Sequence, residues 1–250
     1  MNHRLQAGSY KANGLGGEIT LSPPATAPHS APVVSSPKYR HLIWDWNGTL
    51  IDDLDYSIGV MNALLRRRGL PTMDRGRYHE VFDFPVRDYY ARLGFDPAAD
   101  PFERLGAEWM AGYDARRLEC RLHPDARRVL TAVRGAGVTQ SLLSAYPHET
   151  LVQIVKHFGL ADYFVQLAGL DNIYAHSKTE LGRAQLQRIG LPPSSILLVG
   201  DTLHDLEVAR ELGVDCALVA AGHHPAAKLR RHHDRVLDSL AELPAQLGLA

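Results

Sequence analysis

The sequence predicts an α/β fold: a parallel sheet core with helices on both faces and an inserted all-helical cap. Three observations carry this. Beyond Pro124, short and nearly continuous apolar runs alternate with segments of helical period, so each run is a strand buried on both faces. Between residues 54 and 122 only helical periods occur. Asp45, Ser144 and Asp201 each fall at the end of a predicted strand, where open parallel sheets carry their sites.

Residues 1–38 come first. They are rich in Gly, Ala, Ser and Pro ("LSPPATAPHSAPVVSSP") and have neither helical nor alternating period, which predicts a flexible extension. "HLIWDW", residues 41–46, is short, apolar and bounded by a Gly-Thr turn, as a buried strand should be. Leu54, Ile58, Met61 and Leu65 then keep helical spacing, with acids ahead of them and Arg66, Arg67 and Arg68 behind. That polarity suits the helix dipole, and Gly69 and Pro71 end the helix. Phe102, Leu105, Trp109 and Tyr113 repeat the spacing. The expected cap is residues 56–122, about seventy residues, a workable size for a small domain.

The core is expected to comprise 39–55 and 123–250. Its second part holds a helix ending at "RGAG" (134–137) and the strand "VTQSLLSA" (138–145). A helix carrying Leu151, Ile154, Val155 and Phe158 follows, closed by Gly159, and another covers about 179–189. Next come the strand "SILLVGD" (195–201), the helix "LEVARELG" and the strand "DCALVA".

Composition narrows the function classes. Of 250 residues, 45% are hydrophobic and 22% charged, enough to fill a sizeable core. Lys plus Arg is 27 and Asp plus Glu 28, a net charge of −1 that gives no electrostatic case for nucleic acid or an anionic membrane. No apolar run approaches the ~18 residues of a membrane span, and the first 38 residues hold no signal-peptide core. Cys120 and Cys216 lie far apart and outside any metal-ligand spacing, which suits a reducing compartment with both thiols buried. A cytoplasmic location is the expectation.

The chemistry concentrates at the strand ends. Asp201 and Asp205, four residues apart in "LLVGDTLHD", can both face a hard cation such as Mg²⁺. They equally suit an N-cap and a first-turn acid, and both readings stand at this point. Asp45 adds a third carboxylate before a Gly-containing turn. Ser144 and Lys178 are unremarkable singly. Together the five run in a fixed order: nucleophile, hydroxyl, lysine, paired acids.

That order, in "IWDWNGTL", "SLLSA", "HSK" and "VGDTLHD", resembles the four motifs of the haloacid dehalogenase-like hydrolases. More narrowly it is similar to their phosphoglycolate-phosphatase-like branch, which has a Rossmann-like core and a helical cap between the first two motifs. The likeness covers about residues 39–245. It implies that Asp45 attacks phosphorus to form an aspartyl phosphate. It further implies that Asp45, Asp201 and the backbone carbonyl of Asn47 bind Mg²⁺, with Asp205 in support. Ser144 and Lys178 would hold the phosphoryl oxygens. The implied substrate is a small phosphate monoester such as phosphoglycolate, taken by a monomer or homodimer.

One residue departs from the pattern. The family's phosphatases have Asp at the position of Asn47, where it protonates the leaving oxygen and later activates water. An amide can do neither. The expectation is an intact phosphate and Mg²⁺ site with weakened acid–base catalysis, help that is typically worth about 10²–10⁴-fold. Alkoxide leaving groups should suffer most, acyl or aryl phosphates least. His148, His176 and His204 stand near Ser144, Lys178 and Asp205 and are candidates to substitute. The alternative is a catalytically weak phosphate-binding or regulatory protein. A phosphonate-cleaving relative would need a cap lysine, and residues 51–123 contain none. The cap arginines Arg75, Arg77, Arg87 and Arg92 could clamp an anionic substrate or form a solvated face.

Overall fold

A computed structural model describes residues 37–170 and 178–249. Six of its strands form one parallel sheet. These are β1 (His41–Trp44), β4 (Thr139–Pro147), β5 (Gln166–Leu170), β6 (Ile196–Gly200), β7 (Asp215–Val219) and β8 (Val236–Leu237). The spatial order is β5-β4-β1-β6-β7-β8, so β1 lies between β4 and β6. The chain moves outward from β4 to β5, then returns to β6 on the other side of β1. Order therefore reverses at β1, and the crevice at its carboxyl end is where such sheets bind ligands.

Alternation along the strands explains their apolar runs. Leu42, Trp44, Leu142, Leu197 and Val199 join a core cluster with Val129, Val133, Leu151 and Ile154. These last four come from α5 (Ala126–Gly135) and α6 (His148–His157). Ile43, Leu143, Ile196 and Leu198 face a second cluster with Leu206, Val208 and Leu212. That face is covered by α7 (Lys178–Ile189) and α8 (Leu203–Leu212), whose Leu181, Leu186 and Leu206 pack there. Both faces are thus covered, as near-continuous apolar strands require.

The stretch between the first two motifs is helical apart from its base. A two-stranded antiparallel ribbon joins β2 (Ile51–Asp52) to β3 (Arg121–Leu122). Above it stand α1 (Leu54–Arg67), α2 (Arg75–Val81), α3 (Val86–Arg92) and α4 (Phe102–Asp114). They share an apolar cluster that includes Leu54, Met61, Leu65, Tyr78, Tyr89, Tyr90 and Leu105. Tyr89 and Tyr90 are therefore cap core. The ribbon is the one feature of this stretch that helical periodicity could not show, because two-residue strands carry no period. No helix among the described residues is long and apolar enough to cross a membrane.

His41 gives the core a pH dependence. Its ring is buried in β1, bonded to Thr139 Oγ1 at 2.7 Å and Ser141 Oγ at 2.8 Å. Burial pushes its pKa down to about 4, against about 6.5 in the unfolded chain. The stabilising contribution is therefore complete above 6.5 and is lost as pH falls through that value toward 4. Between pH 7 and 4.5 the native chain should lose about 2 kcal/mol more than a His41→Gln variant. Urea unfolding at the two pH values measures this, and equal losses would refute it.

Candidate active site

The site is built at the carboxyl end of β1. Asp45 N–H donates to Val199 O at 2.9 Å, which continues the sheet one residue past β1 and fixes where the carboxylate emerges. The chain then turns tightly: the N–H groups of Thr49, Leu50 and Ile51 all converge on Trp46 O. Gly48 sits at φ +72°, a conformation that glycine adopts without strain. The turn brings Thr49 Oγ1 between two acids, 3.3 Å from Asp45 Oδ2 and 3.0 Å from Asp201 Oδ1.

Asp201 directly follows β6, and Asp205 lies in the first turn of α8. The helix N-cap is Thr202 rather than Asp201. Thr202 and Asp205 form a reciprocal capping box, with Asp205 Oδ2 accepting from Thr202 N at 3.0 Å and Thr202 Oγ1 at 2.7 Å. Asp205 Oδ1 remains for Lys178. The Lys178 ammonium stands at the start of α7, 2.5 Å from Asp45 Oδ1 and 2.6 Å from Asp205 Oδ1, with all three groups buried. Burial alone would favour a neutral lysine, but the carboxylates of Asp205 and Asp45 raise its pKa and keep it charged.

The three acids fit a divalent cation. Asp45, Asp201 and Asp205 each offer an oxygen within 4.8 Å of the others. Burial raises Asp45 to about 6, Lys178 pulling it down and Asp205 up. Burial likewise raises Asp201, to about 8, with Asp205 and Asp45 adding to the rise against the pull of His223. A buried cluster of hard oxygens whose members are too crowded to ionise together is short of positive charge, and such a set suits Mg²⁺.

Ser144 lies inside β4 rather than at its end, because the strand runs on to Pro147 through an irregular register. It is buried, and its Oγ accepts from Tyr146 N at 3.1 Å, which leaves the hydroxyl proton to donate. Asn47 is fully engaged as a donor. Its Nδ2 donates to Asp53 Oδ2 and to Tyr113 Oη, each at 2.8 Å. Tyr113 itself donates to Asp53 Oδ2 at 2.7 Å, so its lone pairs are free for the amide. An acceptor-only carboxylate thus dictates which way the amide points, and no side-chain N–H of Asn47 remains for a leaving oxygen.

Asp53 and His223 are the residues that sequence reasoning missed. Asp53 is buried and also accepts from Gly48 N at 2.8 Å, while His223 Nε2 lies 3.3 Å from its Oδ1. Burial would push the His223 pKa down, but the Asp53 carboxylate beside it lifts it to about 9. Burial would raise Asp53, and the His223 charge holds it low instead. The doublets "DD" (52–53) and "HH" (223–224) were the only signals available. Of the three candidate histidines, two are placed by the structure. His204 stacks on Phe84 and pairs with Glu207, His148 opens α6, and His176 lies outside the described residues. The cap arginines belong to a solvated face: Arg75 pairs with Asp55, Arg77 with Glu80 and Arg87 with Glu103, and Arg92 bonds the Asp88 carbonyl.

A wound sheet with an acid cluster and a lysine at its reversal point, under a helical insert, defines an α/β enzyme of the capped type. The family is then direct. The model of the haloacid dehalogenase-like hydrolases matches residues 42–219, and the chain belongs to that family. It is 29% identical over 196 residues to N-acetylmuramic acid 6-phosphate phosphatase of Pseudomonas putida, covering 75% of this chain and 86% of that one. It is 26% identical over 215 residues to phosphoglycolate phosphatase of Chromobacterium violaceum, covering 82% and 94%. A predicted phosphatase from Clostridium acetobutylicum has the same fold, with a TM-score of 0.71 and 18% identity over 83% of this chain and 97% of that one. By these matches the chain is a phosphoric monoester hydrolase.

Proposed function

We propose that this chain is a cytoplasmic, Mg²⁺-dependent phosphatase acting on a small phosphorylated metabolite through Asp45. The observation that carries the reading is the ammonium of Lys178 held between Asp45 and Asp205 at the sheet's reversal point. Asp45 Oδ attacks phosphorus as the bond to the leaving oxygen breaks, giving an aspartyl phosphate. Water then attacks that phosphorus, releasing phosphate and restoring the carboxylate. Lys178 offsets charge between phosphate and Asp45, and the Ser144 hydroxyl holds a phosphoryl oxygen. Asp45, Asp201 and the Asn47 carbonyl would hold Mg²⁺, with Asp205 in support. The bound ion would add charge neutralisation at the phosphoryl oxygens.

The substrate follows from the engagement of Asn47. With no proton to give and both N–H groups taken, residue 47 favours leaving groups that are stable as anions. Phosphoglycolate, named for a relative, is the first alkyl ester to test. The same observation supports the second reading, a weak catalyst that binds phosphate compounds. A panel of acetyl phosphate, p-nitrophenyl phosphate and phosphoglycolate, with Mg²⁺ or EDTA, separates the two. Acyl and aryl phosphates should turn over about 10²-fold or more faster than the alkyl ester, and only with the metal. Silence on every ester, with Mg²⁺-dependent phosphate binding retained, would establish the second reading. A monomer or homodimer with no nucleic-acid or membrane partner completes the proposal.

A further inference from the structure

The segment 78–84 of the cap grips the core loop after β7. Tyr78 Oη lies 2.8 Å from His223 Nδ1, both side chains being buried. Lys228, in the short helix α9 (Ala226–Leu229), donates to Phe82 O at 3.1 Å and pairs with Asp83 at 2.9 Å. The Phe82 ring packs against His223 and His224.

From this grip the bonds run straight into the site. His223 N–H donates to Asp201 Oδ2 at 2.6 Å, while its ring meets Asp53. Asp53 in turn accepts from Gly48 N and the Asn47 amide, in the turn that follows Asp45. There is no slack between them: a Cβ on Gly222 would overlap both Asp201 Oδ2 and Gly48 O. The core pair Asp53–His223 is therefore clasped by two cap tyrosines, Tyr78 from α2 and Tyr113 from α4.

We propose that Tyr78 and His223 are positioning residues: the hydroxyl of Tyr78 fixes the His223 ring, and so makes the placement of Asp201 and the Asp45 turn depend on a seated cap. The kinetic consequence rests on the phosphatase reading above; the structural one does not. Neither residue acts on the substrate. Removing the hydroxyl should loosen the loop that presents His223 N–H to Asp201, so turnover suffers while ground-state binding does not.

Tyr78→Phe in the full chain tests this, because it keeps the ring against Phe82, 4.8 Å away, and Tyr89. Amide hydrogen exchange over 220–224, without ligand, should quicken about tenfold or more. With acetyl phosphate and Mg²⁺, kcat should fall roughly 10–100-fold with KM within about threefold. His223→Gln keeps the backbone donor and loses the ring, so Tyr78→Phe should add little on that background. Native-like exchange in Tyr78→Phe would overturn the proposal. So would kinetic losses that add in full, since Tyr78 would then act without His223. If the native chain hydrolyses no ester, faster exchange still upholds the clasp while the phosphatase reading fails.

Discussion

Asp45→Asn should abolish phosphate release, by a factor on the order of 10⁴ or more, and leave the fold intact. Loss of a nucleophile costs nearly the whole of covalent catalysis, since an amide cannot form the aspartyl phosphate. The fold survives because of what surrounds the residue. Lys178 loses one carboxylate but keeps Asp205 at 2.6 Å, so no buried ammonium is stranded. Burial is the main reason Asp201 is raised, and removing one of three crowded acids also relieves the repulsion that adds to it. Release from acetyl phosphate, read beside urea unfolding of the same preparation, measures both halves. Retained turnover in a folded variant would remove Asp45 from the role of nucleophile.

The frame of the candidate site was legible in the sequence because its parts are local. Apolar runs ending in Asp45 and Asp201 mark buried strands, and a buried strand exposes only its end. Lys178 opens a helix whose apolar positions are periodic. What stayed hidden lies between elements. Ser144 seemed to end a strand because nothing in "SLLSAYP" shows that β4 continues, in irregular register, to Pro147. The two-residue strands β2 and β3 pair across the whole cap, a contact no local pattern encodes. Asp53 and His223 are separated by 170 positions and meet only because α1 and the loop after β7 converge on Gly48. The bonding of Asn47 was hidden with them: its amide donates to the Asp53 carboxylate.

That partnership reverses the simple expectation for Asn47→Asp, which would otherwise rearm the enzyme. An aspartate there puts a carboxylate oxygen where Nδ2 now stands, 2.8 Å from Asp53 Oδ2. Two carboxylates so close cannot both ionise, and a raised pKa for the pair is the result. A buried acid whose folded pKa is raised above its unfolded value destabilises progressively as pH climbs between the two. The variant should therefore be close to native near pH 4 and lose on the order of 3 kcal/mol by pH 8. Its proton, when present, is held by Asp53 rather than offered to a leaving group, so turnover of alkyl esters should rise less than about tenfold, short of the 10²–10⁴ that a free general acid supplies. Adding Asp53→Asn restores a donor–acceptor pair with the carboxylate moved to position 47, at the expense of the His223 ion pair. The double variant should recover about half of the lost stability at pH 8 and exceed the single variant in turnover. Unfolding at pH 5 and 8 decides the matter: an Asn47→Asp chain as stable as native at pH 8 would mean that Asp53 does not hold residue 47 in solution.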